Sequence, residues 1–425
     1  MQQYDSYKDS GVQWLGEIPN HWEVIKTSRV FTKIGSGTTP ESGREDYYSE
    51  DGFHFLQTGD LNDAIINDTA KKITEKALRD KNLKIYPQGS LVVAMYGATI
   101  GKLGLLDIDT TVNQACCVLA ETNKMFMKFA FYVFSSAKRD LIFQCKGGGQ
   151  PNISQDTIRN EKIPVPPLSE QSAIATYLDE QTSKIDIAIA QQQKMIDLLN
   201  ERKQIIINNA VTKGLNPNVK MKDSGVEWIG EMPEHWEMKR LKSILSVKDK
   251  RNANPEALLL SVYTAIGVRP RQELEERGNK ASTVINYKIV SKGDLIVNRL
   301  LAWMGAYGLS NYDGVTSPDY DVYSFHADVN RGYYETLFRN TQFKSDCYKY
   351  GHGIMMMRWR TYSDEFLSIN VPIPPKQEQD AIFDYLKPQI DKIEDSIEQC
   401  NKMLALLQER KQIIINDVVT GKVKV

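Results

Sequence analysis

The chain has 425 residues, 41% of them hydrophobic and 25% charged, with 53 basic against 54 acidic side chains and a formal charge of −1. This is the composition of a globular protein; it excludes a disordered chain and a generally basic nucleic-acid coat, but not local basic faces. No run reaches the ~18–20 apolar residues of a membrane span, no secretory pattern opens the chain, and the 5 cysteines lack CxxC spacing, so a cytoplasmic protein with reduced thiols is expected.

In chain order, a short motif comes first: Lys8–Glu23 reads KDSGVQWLGEIPNHWE. A segment of mixed character (24–162) follows, with strand-like runs such as Ser90–Tyr96 entered by Gly89. PVPPLSEQ from Pro164 then opens a long helical stretch ending in ERKQIIIN at Glu201–Asn208. The same three parts recur. KDSGVEWIGEMPEHWE spans Lys222–Glu237, a second segment spans 238–370, and PIPPKQEQ from Pro372 leads to a second ERKQIIIN at Glu409–Asn416. Aligned over 49 positions, the two helical stretches share 28 identities, whereas the segments between the motifs differ greatly. The period is too long for a solenoid, so this is tandem duplication of a whole module. No third motif follows the second helix. Equal packing of both copies therefore predicts that Gly11–Trp22 lies against the end of the second helix, with the termini close together.

Read in sevens, the first helix repeats Leu178, Ile185, Gln192, Leu199 and Ile206, with Ile174, Gln181, Ala188, Met195 and Arg202 as the partner position. The second repeats Leu386, Ile393, Cys400, Leu407 and Ile414, with Ile382, Gln389, Ser396, Met403 and Arg410. These are coiled-coil seams with polar interruptions. Pro388, aligned with Glu180, suits a first helical position, which predicts helices starting near 180 and 388 and rods of roughly 45–50 Å. The fold expected is α+β, with two pseudo-two-fold-related mixed α/β domains separated by a long antiparallel two-helix coiled coil. The predicted divisions are 1–162, 163–214, 215–370 and 371–425.

Catalytic signatures are missing. The Gly97–Lys102 run is one residue short of a phosphate loop and has Leu103 where Ser or Thr would bind magnesium. No HExxH, GxSxG, EF-hand or GxGxxG pattern occurs. His21 and His235 hold the same repeat position, as packed structural histidines would. No metal site, no catalytic residue and no cofactor bound by this chain are expected.

Segment 24–162 carries 18 basic and 16 acidic residues, and segment 238–370 carries 19 and 14. Several stretches offer exposed hydrogen-bonding groups. In the first they are Lys33–Pro40 (Lys33, Ser36, Thr38, Thr39), Tyr96–Lys102 (Tyr96, Thr99, Lys102) and Lys146–Asn152 (Lys146, Gln150, Asn152). In the second they are Lys248, Lys250, Arg251, Arg269, Arg271, Arg299, His352, Arg358 and Arg360. Glycine-rich loops let amides approach phosphates, and Arg, Lys, Gln and Asn read base edges. Each alone is compatible with a solvated turn. Together, on two modules that differ where reading heads should differ, they favour nucleic acid. A duplicated adaptor holding two identical protein partners shares the same layout.

The chain resembles the specificity subunit of type I restriction–modification systems over nearly its whole length. The duplicated SGVxWxGxxPxHWE, PxPPxxEQ and ERKQIIIN segments carry the likeness, with KIGSGTTP and GGGQPNIS typical of one recognition-domain class. The second segment departs from that class, having GHGIMMMRW where GGGQPNIS would stand. The resemblance implies two target recognition domains, each reading half of a split asymmetric double-stranded DNA site, with the helix pair fixing the spacer. It implies two methyltransferase subunits docked on the repeated elements, through Trp14, Trp22, Glu170, Gln171 and Arg202 and through Trp228, Trp236, Glu378, Gln379 and Arg410. Restriction–translocase subunits would join them. S-adenosylmethionine, ATP and magnesium would serve those partners.

Overall fold

The computed structural model describes residues 2–145, 152–264, 266–273, 283–353 and 359–425. The chain divides into two compact units, residues 1–192 with 402–425, and residues 193–401. Both are mixed helix and strand, built on one plan.

In the first unit a five-stranded sheet runs in the order Lys33–Gly35, Cys116–Ala120, Leu91–Ala94, Leu103–Leu106, Ala64–Ile66. All neighbours are antiparallel except the last pair, which is parallel. Leu91–Ala94 and Cys116–Ala120 are buried on both faces, which explains their uninterrupted apolar sequence. The helix Met127–Phe143 packs Phe129, Val133 and Phe134 into the core that the sheet shares with Leu15, Ile18 and Trp22 of the short motif. The second unit repeats four of these strands, in the order Leu245–Val247, Tyr320–Phe325, Leu295–Asn298, Tyr307–Leu309, all antiparallel. Two helices, Arg331–Phe338 and Thr341–Tyr350, cover its core.

Each variable segment enters and leaves through a paired ribbon. Glu23–Lys26 pairs antiparallel with Lys162–Val165, and Glu237–Arg240 pairs with Asn370–Ile373. The strands that carry the repeated sequence thus clamp the two ends of the sequence that varies.

The long helices span Leu168–Lys213 and Lys376–Val419, 46 and 44 residues. Both start about twelve residues before the expected positions near 180 and 388, and at ~1.5 Å per residue they reach nearly 70 Å rather than 45–50 Å. Their first turns are set by the Pro-Pro pairs: the Pro167 carbonyl accepts from the amides of Glu170 and Gln171, and the Pro375 carbonyl from those of Glu378 and Gln379. Pro388 lies inside the second helix. An interior proline costs about 3 kcal/mol through its missing amide and ring clash. Leu386 on one side and Ile393 on the other are buried and hold the helix through it.

Within each unit the helices pack antiparallel. In the first, Ile174 and Leu178 share a core with Ile415, Val418 and Val419, and Asp186 pairs with Lys411 at 2.7 Å. In the second, Ile207 and Val211 meet Ile382 and Leu386, and Lys203 pairs with Glu394. The stripe of Leu178, Ile185, Gln192, Leu199 and Ile206 faces inward as expected. The partner stripe is buried at its start, at Ile174, and turns outward by Met195. Thr182, Ile189, Ile196 and Lys203 turn inward, while Met195 and Arg202 are exposed, because the second stripe lies four residues after the first rather than four before it. Ile390, Ile397, Leu404 and Lys411 do the same in the second helix, leaving Met403 and Arg410 outside.

The predicted packing of the short motif holds. The second helix ends at Gly421, whose φ of 74° is left-handed and whose added Cβ would overlap Pro19 and come within 3.1 Å of Trp22. Gly214, φ 73°, ends the first helix against Trp236 in the same way. Gln2 and Lys424 pair in a β-bridge, so the two ends of the chain meet.

Candidate nucleic-acid interface

In the first unit, register assembles the site. Gly35 pairs with Val118 and Ala94 with Cys116, so the loops after Gly35, after Ala94 and before Cys116 all leave one end of the sheet. Ser36, Thr38, Thr39, Tyr96, Thr99 and Lys102 come together there. Asn152 joins them through a bridge to Tyr96. The Gly37 amide donates to the Asn113 carbonyl at 3.2 Å, and a Cβ on Gly37 would overlap the Val112 carbonyl, so glycine is what lets the loops close up. The Thr39 hydroxyl donates to the side chain of Gln114, an exposed residue on this end that the sequence reading missed for want of a motif. Lys33, at the start of its strand, instead faces Glu121 at 3.3 Å. Lys146 and Gln150 lie outside the described residues.

The second unit builds the same end from charge. Arg299 follows strand Leu295–Asn298, and its carbonyl accepts from the Thr361 amide at 3.0 Å. This ties to it the bridged pair His352 and Arg360. Arg299 donates from Nε to Oδ2 of Asp321 at 2.9 Å and from a terminal nitrogen to Oδ1. Asp321, 1% exposed, also accepts from Lys288 at 2.9 Å and Ser363 at 2.8 Å. Lys288 in turn approaches Asp249 at 3.8 Å, and Asp249 pairs with Arg251 at 2.7 Å. Burial alone would raise the Asp321 carboxyl, but the hydrogen bonds from Arg299, Lys288 and Ser363 outweigh it and hold it below the usual range. The hydrogen bond to Asp321 raises Arg299. Asp321, Lys288 and Ser363 match no motif, and only the fold brings them together.

Not every predicted cation belongs to this group. Lys248 turns back to Asp294 and Ser291, in an ion pair whose side chains are 16% and 9% exposed, and is therefore a structural residue. Arg269 lies on strand Gly267–Pro270. Burial raises the Glu335 carboxyl, and Arg269, with Arg339 and Lys387, partly offsets that rise. Arg271 follows the same strand. Lys250 is exposed, and His352 pairs with Glu365 at 3.1 Å. Arg358 lies outside the described residues.

The predicted docking residues separate into two kinds. Trp22 and Trp236 are fully buried and donate to Glu170 at 3.1 Å and Glu378 at 2.9 Å. His21 and His235 meet the same two carboxylates at 2.9 and 2.6 Å. Gln171 and Gln379 are buried, each bonded to backbone on both ends of its amide. These four buried side chains each brace their own unit from inside and offer no contact surface. Trp14 and Trp228 are half-buried and donate to Glu161 at 2.7 Å and Asp346 at 2.6 Å. Burial raises both carboxyls. Arg202 and Arg410 are exposed, in the company of an apolar stripe that the misplaced seam concealed. Met195, Leu198 and Ile205 on the first helix, and Met403, Leu406 and Ile413 at the same repeat positions of the second, are each 45–59% exposed.

Among the described residues no cluster of His, Cys, Asp or Glu suits a metal ion, and no helix is long and apolar enough to cross a membrane.

Residues 19–197 match the family described as the type I restriction modification DNA specificity domain. The type I restriction enzyme MjaVIII specificity subunit of Methanocaldococcus jannaschii is 26% identical over 438 residues, covering 96% of this chain and 94% of its own. The EcoKI specificity subunit of Escherichia coli is 24% identical over 244 residues, 56% of this chain and 50% of its own. A chain solved in a study of complex assembly and conformational transition of the type I R-M system shares the fold, with a TM-score of 0.70 at 15% identity, covering 96% of this chain and 99% of that one. Residues 19–197 thus match the type I restriction modification DNA specificity domain, and with its duplicated motifs the chain is similar over nearly its whole length to specificity subunits of type I restriction enzymes.

Proposed function

We propose that this chain is the DNA-recognition subunit of a type I restriction–modification complex, each variable domain reading one half of a bipartite asymmetric site. One observation carries the reading: two domains on a duplicated scaffold each gather hydrogen-bonding side chains at one end of the same sheet, and differ in which side chains those are. A common scaffold with divergent tips is what two different base sequences require. The long helices act as the ruler for the unspecified gap.

The chain recruits two copies of a methyltransferase subunit and does no chemistry itself. Exposed apolar residues at matching positions on both helices, each beside an arginine, are what one kind of partner bound twice would need. The cofactors S-adenosylmethionine, ATP and magnesium serve the methyltransferase and restriction–translocase partners. A chain that shares the DNA grip with two partners need not be strongly basic, consistent with its charge of −1.

The test is selection of bound duplexes from random DNA by this chain copurified with its methyltransferase partner. Two short motifs at one fixed gap are expected. No enrichment by an intact complex would favour the adaptor reading. Leu406→Asp should strip partner binding from its face with the thermal unfolding of the chain unchanged.

A further inference from the structure

We propose that Arg299 reads a guanine in the half-site of the second unit, and that Asp321 is the positioning residue that aims it. The inference rests on the DNA-recognition reading and names the base one side chain recognises.

Asp321 stands at the centre of a hydrogen-bond network. Its two oxygens receive four donors, namely two from Arg299 and one each from Lys288 and Ser363. A carboxylate offers about four acceptor sites, so this one is saturated. It is also buried, on the strand Tyr320–Phe325 in the middle of the sheet, with Asp321 paired to Val297. The anchor is therefore rigid.

The guanidinium is held side-on, through Nε and one terminal nitrogen. That leaves its end-on edge, a parallel pair of N–H donors on the two terminal nitrogens, not engaged by the carboxylate. The side chain remains 28% exposed, and its backbone is fixed by the Thr361 amide. A pre-aimed pair of parallel donors matches the O6 and N7 acceptors on the major-groove edge of guanine, and no other base presents two acceptors there. Fixing the arginine before DNA arrives also spares the ordering cost of a long flexible side chain. Lys288, 3% exposed in its side chain, cannot reach a ligand; it balances Asp321 so that binding does not have to.

Among the described residues the first unit has nothing comparable. By strand register Met95 takes the place of Arg299: the Met95 carbonyl accepts from the Ile153 amide as the Arg299 carbonyl does from Thr361. A guanine contact through this strand position belongs to the half-site of the second unit.

The experiment is the same selection of bound sequences, run on the complex with wild-type chain, Arg299→Ala, Arg299→Lys and Asp321→Asn. A bipartite wild-type motif is the control; without it the DNA-recognition reading fails and the present inference falls with it. Given that motif, Arg299→Ala should reduce preference for guanine at one position of one half-site by roughly 5- to 100-fold, leaving the gap and the other half intact. Arg299→Lys should fail to restore it, because an ammonium lacks the parallel pair. Asp321→Asn should relax the same position. Arg299 is surface-facing, so its variants keep the inference testable should Asp321→Asn unfold. An unchanged motif in Arg299→Ala would overturn the inference, as would an equal loss for all sequences, which marks a phosphate contact.

Discussion

The two variable domains have the same sheet and opposite solutions at its end. Among the described residues the first gathers neutral groups, Ser36, Thr38, Thr39, Gln114 and Asn152, beside Lys102. The second runs a chain of alternating charges, Arg251, Asp249, Lys288, Asp321 and Arg299, from surface through the interior and out again. Neutral amides and hydroxyls read an edge only at hydrogen-bonding range, whereas cations also draw phosphate from a Debye length away. A common framework thus fixes where hydrogen-bonding groups are presented, and leaves to the varying segment whether they are neutral or charged.

The largest effect should come from exchanging residues 24–162 for another such domain. One half-site should be replaced entirely and the other left unchanged, as read by selection on random DNA; change in both halves would mean the domains do not read independently. Next in size, Trp22→Ala and Trp236→Ala should each destabilise their own unit by about 3–5 kcal/mol, since both indoles are fully buried. Amide exchange should show the loss confined to the unit mutated. Smaller, and specific to the charged domain, Lys250→Ala should lower the slope of log affinity against log salt by about 1, while Thr38→Ala should leave it alone.

The smallest effect is a pH dependence. A carboxylate depressed in the folded state contributes stability above its unfolded value of ~3.9, and that contribution is lost as pH falls through its lower folded value. Asp321 is such a group, so the second unit should lose stability below about pH 4 through this residue, and Asp321→Asn should flatten that part of the curve. Denaturant titrations from pH 3 to 6 check it.

Much of the fold was legible in the sequence because duplication repeats what packing demands. Trp22 and Trp236 recur because each caps the end of a long helix, and that recurrence correctly placed the short motif beside residue 421. The heptad partner was misread because Met195 and Arg202 keep the period of seven as faithfully as Ile196 and Lys203 do, and only burial separates them. The helix starts were misread because Pro388 looked like a beginning, while the buried Ile382 and Leu386 before it required helix already. Of the candidate site, the loops were visible as loops. What was not visible was neutralisation: Lys248 and Arg299 are both basic residues at a strand end, and only three-dimensional neighbours make one an interior brace and leave the other partly exposed at the end of the sheet.

The paired ribbons at the base of each variable segment have an evolutionary corollary. Glu23–Lys26 beside Lys162–Val165 puts the two splice points of a domain within a hydrogen bond of each other. A gene exchange whose crossovers fall in the repeated sequence on either side would install a new head on an undisturbed neck, whatever the head's length. Selection can thus renew the recognition domain in a single recombination event while the exposed faces of both helices are inherited unaltered.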